Sequence, residues 1–268
     1  MKRQMLIFFH IPKTAGTTFL NVLKKEYKNR SFTIDGINWA QSLRTIDKMS
    51  VHDASKIDLI MGHMSYSLKR HAVDRVNSAI YVSFFRDPVS LFLSTFSYIK
   101  RAKLNRYHKV AQNMNLEQWV EFRKNEHLDN LQSRHLLERL PIFNPLESDL
   151  NLLKSNSQVL ENEITSRLST IDYKFTTGNF DKALLFLAKR LQWKKKPYYK
   201  RLNISHSYDK NEISESLFRR IREMNWLDEF LYNQVLQEEV FWLNEINETE
   251  LEKFQKKNES SIFRKLKI

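Results

Sequence analysis

Apolar residues form short runs in the first third of the chain, and polar residues follow each run at once. The runs are Met5–Phe9, Ile57–Met61 and Ala79–Phe85. After the first run, apolar residues between Phe19 and Tyr27 recur at helical spacing, which predicts a helix over residues 17–28. Short apolar runs bounded by polar loops are typical of buried strands. The pattern therefore predicts a strand, a loop and a helix, followed by two further strands.

From about Leu116 onward the pattern becomes helical. Helices are predicted around residues 127–140, 180–192, 209–222 and 226–244, with one further strand at Tyr173–Thr176. Strands that alternate with helices predict an α/β fold of three layers, with a central, mostly parallel sheet and a largely helical C-terminal half. In such folds active residues lie at the carboxyl ends of the strands. Residues 1–247 are predicted to form a single domain and residues 248–268 a charged C-terminal tail, whose weak periodicity fits a frayed helix.

Positive charge is concentrated in the N-terminal part of the chain. The 268 residues include 44 Lys and Arg against 31 Asp and Glu, a net charge of +13. Residues 1–110 hold 19 of the basic and 7 of the acidic residues, a net charge of +12. Such a field raises the local concentration of anionic ligands such as nucleotides, nucleic acids or acidic glycans. A generally basic, solvated surface is the other interpretation.

The loop between the first strand and the first helix has the composition of a phosphate-binding loop. It runs from His10 to Thr18 with the sequence HIPKTAGTT. Gly16 permits close approach of a ligand to the backbone, the helix start offers N–H groups, and Lys13 adds a cation. The loop differs from the P-loop of nucleoside triphosphatases, because Lys13 precedes the glycine and Gly16 is followed by Thr17.

The run HIPKTAGTTF (His10–Phe19) resembles the 5′-phosphosulfate-binding loop of a sulfotransferase family that includes the heparan sulfate 2-O-sulfotransferase type. This family uses 3′-phosphoadenosine 5′-phosphosulfate (PAPS) as its sulfuryl donor. The resemblance implies that Lys13 contacts the phosphosulfate and stabilises the leaving phosphate. It also implies that the 5′-phosphate is held by Thr14, Gly16, Thr17 and Thr18. An ordinary strand-to-helix turn, in which the threonines only cap the helix, is the alternative.

A second segment is a candidate for binding the 3′-phosphate of the donor. The third apolar run ends in Arg86-Asp87-Pro88, where Asp87 can cap a helix and Pro88 suits its first position. A strand that ends in Arg-Asp-Pro, with a serine eight residues after the arginine, resembles the 3′-phosphate motif of the same family. By this resemblance Arg86 and Ser94 bind the 3′-phosphate, one with its fork of donors and the other with its hydroxyl. Taken alone, the tripeptide predicts only a capped helix start.

A hydroxyl acceptor needs a general base, and histidine is the usual base near neutral pH. Among the eight histidines, His63 follows Gly62 at the end of an apolar run, where it is expected to face a cleft. The segment Met61–Tyr66 resembles the family's Gly-His segment, in which the histidine removes the acceptor proton. The heparan-type enzymes often carry a second histidine where this chain has Met61, so a two-histidine arrangement is absent. A packed, inert His63 is the alternative interpretation, with His71 as the other candidate base.

Later segments resemble the family more diffusely. Asn130 and Arg134 lie one helical turn apart in a segment like the family's Asn-x-Gln-x-Arg, and both a cleft position and a solvated helix face are open for them. Residues 189–201 hold seven basic residues and no acidic one, with aromatic residues between them. That composition suits a nucleotide or an anionic glycan, or only a solvated loop. The aromatic residues of Met224–Tyr232 are predicted to belong to the core.

Together the motifs imply an enzyme, a PAPS-dependent sulfotransferase with a P-loop-kinase-like fold, in which Lys13 and His63 are catalytic. The acceptor is expected to be a hydroxyl, with a carbohydrate favoured, and no nucleic-acid partner is expected. PAPS is the expected co-substrate. No metal is expected, because the leaving group is already a stabilised phosphate and no carboxylates of ligand spacing are found.

Two other classes of function remain open. A nucleotide-kinase-like phosphotransferase would share the scaffold, but it needs a Gly-Lys-Ser/Thr loop and a strand-end acid for magnesium. A non-catalytic binder of anionic glycan or nucleic acid would use the N-terminal charge without selectivity for a 3′-phosphate.

The chain is expected to be cytoplasmic. The apolar run before His10 is too short for a signal-peptide core or a membrane span, and no transmembrane segment is predicted. A Golgi-lumen domain trimmed of its anchor has the same sequence features. Because the chain has no cysteine, disulfides are excluded and the redox state of the compartment is left open.

Overall fold

The computed structural model describes residues 4–34, 39–62, 79–139, 154–200 and 213–264. The chain divides into two compact units. The first unit consists of Met1–Phe84, Ile171–Leu202 and Val235–Ile268, and the second of Phe85–Thr170 and Asn203–Gln234. The first unit contains the sheet, and the described part of the second is mainly helical.

A five-stranded sheet forms the centre of the first unit. Its strands are β1 (Met5–Phe9), β2 (Ser31–Ile34), β3 (Leu59–Gly62), β4 (Ala79–Phe85) and β5 (Tyr173–Thr176), in the order β2-β3-β1-β4-β5. β1 pairs in parallel with β3 and β4, and β2 pairs in parallel with β3. Every residue of β1 and β3 is buried, as expected for strands that are covered on both faces. The carboxyl ends of β1, β3 and β4 therefore share one edge of the sheet.

Helices account for most of the remaining described chain. They are α1 (Gly16–Tyr27), α2 (Trp39–Asp47), α3 (Val51–Ala54), α4 (Pro88–Ile99), α5 (His108–Gln112), α6 (Leu116–Asn125), α7 (Leu131–Leu137), α8 (Ser157–Leu168), α9 (Phe180–Arg190), α10 (Glu215–Met224), α11 (Trp226–Leu243) and α12 (Glu248–Arg264). Short 3₁₀ turns precede α8 and α9.

Aromatic side chains hold the core of the first unit together. The Phe19 ring of α1 lies edge-on to Phe8 and Phe84, with centroids 4.7 and 4.9 Å away. Phe84 in turn lies 5.0 Å from Phe180, the first residue of α9. The contacts link the central strands to one face of α1 and to α9, so the position of α1 after β1 is set by burial of large apolar surface.

A separate apolar cluster forms the core of the second unit. Trp119 of α6 is stacked between Phe96 of α4 and Phe122, with ring centroids 5.3 and 5.1 Å away. Ile221 of α10 is also buried in this cluster. Packing of α4 against α6 and α10 therefore fixes the helix that follows β4.

The α/β fold with a parallel central sheet and a helical C-terminal half is confirmed. The predicted helix over residues 17–28 is α1, and the predicted strand Tyr173–Thr176 is β5. Helices predicted at 180–192 and 226–244 are also present within two residues of the expected bounds. β2 was not predicted, because Ser31–Ile34 is only four residues long and half-exposed, so it lacks the continuous apolar run of a central strand. Residues 201–212, which include the start of the helix predicted at 209–222, lie outside the described residues.

The predicted charged tail contains a helix that packs on the first unit. Glu248–Arg264 forms helix α12, and its Phe254 is buried in the core of the first unit. The side chain of Asn258, also buried, accepts a hydrogen bond of 2.8 Å from the backbone N–H of Tyr199. Sequence periodicity missed this packing because few apolar residues interrupt the charged ones. The extent of a single domain over residues 1–247 stays a prediction.

Candidate active site

The loop after β1 ends in a helix start that no side chain caps. α1 begins at Gly16, and its N-cap residue Ala15 makes no side-chain hydrogen bond to the first turn. Lys13 and Ala15 both have left-handed backbone conformations, with φ of 68° and 61°. The first turn of α1 contains no acidic residue. Backbone N–H groups and the positive end of the helix dipole are therefore oriented as in an anion-binding loop.

Gly16 is required for a reason that the sequence did not reveal. A Cβ atom built at Gly16 would lie 1.7 Å from Nε2 of His10, so the imidazole occupies the space of a side chain. The buried ring of His10 stacks on Phe8, with centroids 5.3 Å apart. The glycine was expected to admit a ligand to the backbone, but in this structure it admits the side chain of His10.

The threonines of the loop are placed differently from one another. Thr14 is fully buried, and its hydroxyl donates a hydrogen bond of 2.8 Å to the carbonyl of Ile11. Thr17 is exposed and Thr18 is buried, while Lys13 is half-buried. The hydroxyl of Thr14 thus closes the loop, and its contact with the donor stays a prediction.

The segment after β4 begins a helix as predicted. The Asp87 carboxylate accepts a hydrogen bond of 2.8 Å from the Ser90 N–H, and Pro88 is the first residue of α4. Ser94 lies within α4 and is 3% exposed. The predicted cap is confirmed, and Ser94 is buried, so its contact with the 3′-phosphate stays a prediction.

Arg86 is half-buried between the end of β4 and the start of α4. Its pKa is lowered by burial, and the neighbouring Asp87 carboxylate counteracts part of that effect. A partly desolvated guanidinium is stabilised by a bound anion, because burial has removed some of the water that would otherwise solvate it. This electrostatic environment suits the predicted phosphate contact.

The backbone of Arg86 is held by a residue from a distant part of the chain. The Gln132 Oε1 accepts a hydrogen bond of 2.8 Å from the Arg86 N–H, and the Gln132 Nε2 donates one of 2.9 Å to the Arg86 carbonyl. Gln132 is fully buried. It lies inside the Asn-x-Gln-x-Arg segment, but nothing in the sequence indicated what its amide would bind.

Gln132 is fixed in turn by the buried carboxylate of Asp228. The carboxylate accepts hydrogen bonds of 3.1 and 2.7 Å from the N–H groups of Gln132 and Ser133 at the start of α7. Burial raises the pKa of Asp228 to about 6, and these hydrogen bonds counteract part of the rise. A carboxylate at the start of a helix also interacts favourably with the helix dipole.

Asn130 and Arg134 are both buried, so the interpretation as a solvated helix face is wrong. The Asn130 side-chain oxygen accepts hydrogen bonds from the N–H groups of Leu227 and Asp228. The Arg134 guanidinium binds the Asp129 carboxylate at 2.6 Å. These contacts give both residues a structural role within the second unit.

The aromatic residues of the basic stretch 189–201 pack into the first unit. Tyr199 is buried, and Tyr198 stacks on Phe254 with centroids 5.4 Å apart. The backbone N–H groups of Lys194 and Lys195 both bind the Glu26 carboxylate. The described part of this stretch is therefore anchored to the fold through its backbone and rings, while the lysine side chains at 194 and 195 are exposed.

A polar cavity of about 330 Å³ lies in the first unit, and no predicted catalytic or donor-binding residue among those that the structure describes lines it. Several of its polar side chains are paired with one another. The Tyr199 hydroxyl and the Gln255 amide both bind Asp181, and Lys182 binds Glu248 at 2.5 Å. The cavity therefore offers no set of convergent groups that would identify a ligand.

Both candidate bases, His63 and His71, lie outside the described residues. His63 directly follows Gly62, the last residue of β3. Within the described ranges, no group of three or more histidine and carboxylate side chains could hold a metal ion. The expectation that no metal is needed stays a prediction. No helix among the described residues is long and apolar enough to cross a membrane.

Comparison with known proteins agrees with the motifs. Human galactosylceramide sulfotransferase is 25% identical over 239 residues, which are 86% of this chain and 55% of the relative. The chain thus spans about half the length of the curated relative that it matches. The profile of the sulfotransferase family matches residues 1–233, a range that includes both candidate segments and His63. On this match over most of its length, the chain belongs to the sulfotransferase family.

Proposed function

We propose that this protein transfers a sulfuryl group from PAPS to a hydroxyl acceptor, and that the acceptor is a carbohydrate. The observation that carries the proposal is the uncapped start of α1 after β1, in the first unit. In the second unit, the segment after β4 supplies a half-buried arginine, Arg86. PAPS has a phosphosulfate at one end and a 3′-phosphate at the other, and by the family resemblance each segment is proposed to bind one of these anions.

The loop after β1 is proposed to bind the 5′-phosphosulfate. Gly16, Thr17 and Thr18 form the first turn of α1, where backbone N–H groups and the helix dipole stabilise a phosphate. Lys13 supplies a cation, and Thr17 supplies an exposed hydroxyl. Arg86 and Ser94 are proposed to bind the 3′-phosphate, with the charge-assisted bonds of Arg86 contributing more.

The proposed reaction is an in-line displacement at sulfur. The acceptor oxygen forms a bond to sulfur while the bond from sulfur to the bridging oxygen breaks, and adenosine 3′,5′-bisphosphate leaves. His63 takes the acceptor proton, and Lys13 stabilises the charge that develops on the bridging oxygen. Both roles come from the resemblance of these residues to the family's motifs.

Two similarities support a carbohydrate acceptor. The loop His10–Phe19 resembles that of carbohydrate-directed sulfotransferases, and the human relative is named for galactosylceramide. A screen of glycans and small hydroxyl compounds with radiolabelled PAPS tests the proposal directly. Transfer to phenols but to no glycan would contradict the carbohydrate part alone.

Ligand selectivity tests the donor assignment. Adenosine 3′,5′-bisphosphate is expected to raise the melting temperature much more than ATP with magnesium, since only the former carries a 3′-phosphate. Equal shifts would contradict the assignment and favour a kinase-like protein. Stabilisation by neither nucleotide would favour a non-catalytic binder of polyanions.

Substitution of the 3′-phosphate residues sharpens this test. Arg86→Ala is expected to weaken bisphosphate binding by about 2 kcal/mol, or about thirtyfold, and Ser94→Ala by about 1 kcal/mol. Lys103→Ala, which removes an exposed positive charge from the same unit, is the matched control. Normal binding by a folded Arg86→Ala variant would assign Arg86 a structural role.

His63 is tested by its effect on the acceptor step. His63→Ala is expected to abolish transfer to the natural acceptor while bisphosphate binding stays nearly unchanged. An activated phenol loses its proton easily, so it should partly restore the rate of His63→Ala. Near-normal transfer by this variant would exclude His63 as the base and make His71 the next candidate.

A further inference from the structure

Arg86 lies at the point where the ladder of β4 has ended and α4 has not begun. β4 ends at Phe85 and α4 begins at Pro88. A backbone in such a position normally obtains its hydrogen bonds from water or from side chains. Here one side chain, Gln132, binds both the N–H and the carbonyl of Arg86, at 2.8 and 2.9 Å. The primary amide of Gln132 thus replaces a strand partner for this single residue.

The geometry of this contact restricts the backbone of Arg86 and hence the direction of its side chain. Two hydrogen bonds from one planar amide fix both the N–H and the C=O vectors of the residue. Gln132 itself is fully buried, so water does not compete for the two bonds. A guanidinium on a fixed backbone loses less conformational entropy when it binds an anion than one on a mobile loop.

The amide of Gln132 is held in place from behind. The Asp228 carboxylate binds the N–H of Gln132 at 3.1 Å, and Asn130 binds the N–H of Asp228 at the same distance. The Asn225 side chain binds the N–H of Asn130 at 2.8 Å. All of these residues belong to the second unit. The start of α7 is therefore a rigid support for the amide that reaches Arg86.

We infer that Gln132 is a positioning residue, which orients Arg86 toward the 3′-phosphate and so contributes to the donor's selection. This inference rests on the proposed function, in which Arg86 binds that phosphate. Gln132 does not touch the ligand. Its effect is specific to the 3′-phosphate, because it acts only through Arg86.

The test compares two nucleotides that differ only in the 3′-phosphate. Dissociation constants for adenosine 3′,5′-bisphosphate and adenosine 5′-monophosphate are measured by calorimetry. The ratio of the monophosphate constant to the bisphosphate constant reports how much the 3′-phosphate strengthens binding. Gln132→Met keeps the side-chain volume but removes both hydrogen bonds. The ratio is expected to fall about fivefold to tenfold, with the affinity for the monophosphate within about twofold of wild type.

A control on the same helix separates positioning from general destabilisation. Leu136 is buried one helical turn after Gln132, so Leu136→Val loosens the packing of α7 without removing the bonds to Arg86. Its ratio is expected to match that of wild type. In the Arg86→Ala background, Gln132→Met should not change the ratio further, because the two residues act as one unit.

The outcomes distinguish this inference from the proposed function. A folded Gln132→Met protein with the wild-type ratio overturns the inference. A lower ratio in Arg86→Ala would in that case still support the proposed site. An unchanged ratio in Arg86→Ala overturns both. Should Gln132→Met not fold, Gln132→Asn decides, since it keeps the amide but is one methylene too short to reach Arg86. A Gln132→Asn ratio equal to wild type also overturns the inference.

Discussion

The loop after β1 and the segment after β4 follow neighbouring parallel strands, yet they are held in different ways. In the loop, the contacts are local: Thr14 binds Ile11, three residues earlier, and Gly16 makes room for His10. In the segment, the Asp87 cap is local. Arg86 itself is held by Gln132, 46 residues later.

The two segments show that a sequence motif does not always contain the information that sets its geometry. A loop that is shaped by its own residues carries its geometry in consecutive sequence, so a match in sequence implies a match in shape. A segment that is shaped by a distant side chain carries only its ligand-binding groups. We therefore expect substitutions in the loop to affect the loop itself. Substitutions far from the segment in sequence are expected to change how well Arg86 binds its ligand.

The largest expected effect belongs to the loop. Lys13→Ala should lower turnover with PAPS by about 100-fold or more, because it removes charge that stabilises the bridging oxygen in the transition state. Affinity for the bisphosphate should fall much less, since other groups hold the product. Lys24→Ala, an exposed lysine of α1, is the control. Near-normal turnover of Lys13→Ala in a steady-state assay would contradict a catalytic role.

Asp228, which supports Gln132 and through it Arg86, should make the stability of the protein depend on pH. The pKa of Asp228 rises from 3.8 to about 6 on folding. The folded state therefore binds the proton more tightly, and stability should fall as pH rises from about 4 to about 6, by roughly 3 kcal/mol in total. Above that range the contribution of Asp228 to stability should be constant.

Asp228→Asn should remove this slope, because an amide does not titrate. Urea denaturation at a series of pH values gives the free energy of unfolding of variant and wild type, and the difference between the two reports the contribution of Asp228. Thr95→Ala, a buried and non-ionisable position in the same unit, should lower stability without altering the slope. An Asp228→Asn protein with the wild-type pH dependence would show that another group titrates.

A smaller effect is expected when the space for His10 is filled. Gly16→Ala should lower stability by about 2 kcal/mol, because its Cβ would overlap the imidazole ring. Gly178→Ala is the matched control, since a Cβ there comes no closer than 3.7 Å to another atom. Thermal melts of both variants test this prediction.

The double variant His10→Ala with Gly16→Ala sharpens the test. If the His10 ring is what excludes a Cβ at position 16, Gly16→Ala should lower stability only slightly in the His10→Ala background. Additive losses from the two substitutions would point to a different reason for the glycine.

The smallest effect is expected for the local cap of the segment. Asp87→Ala should lower stability by about 1 kcal/mol, because the Ser90 N–H loses its partner. Asn115→Ala, which removes the cap of α6, should cost a similar amount. The ratio of bisphosphate to monophosphate affinity should change less than about twofold in Asp87→Ala, because Gln132 still holds Arg86. A large change in this ratio would make the cap, rather than Gln132, the main support.

Elements with a strong local signal were predicted well. α1 and β5 were expected from their apolar periodicity, and Asp87 and Pro88 were expected to begin α4. The short edge strand β2 and the packing of helix α12 were not predicted, because their burial depends on what packs against them. In α12, Phe254 and Asn258 are buried by contacts of the first unit that no local pattern reveals.

The sequence by itself determined the α/β class, the phosphate-type loop, and the positions of Lys13, Arg86 and Ser94 within their motifs. Each of these follows from neighbouring residues, since periodicity, helix capping and motif spacing act over a few positions. Only the tertiary structure decided that Gly16 accommodates His10 and that Thr14 turns its hydroxyl inward. It alone also connected Gln132 with Arg86 and Asp228. The physical reason is that a buried amide or carboxylate must find hydrogen-bond partners, and the fold selects those partners from positions that are far apart in the chain.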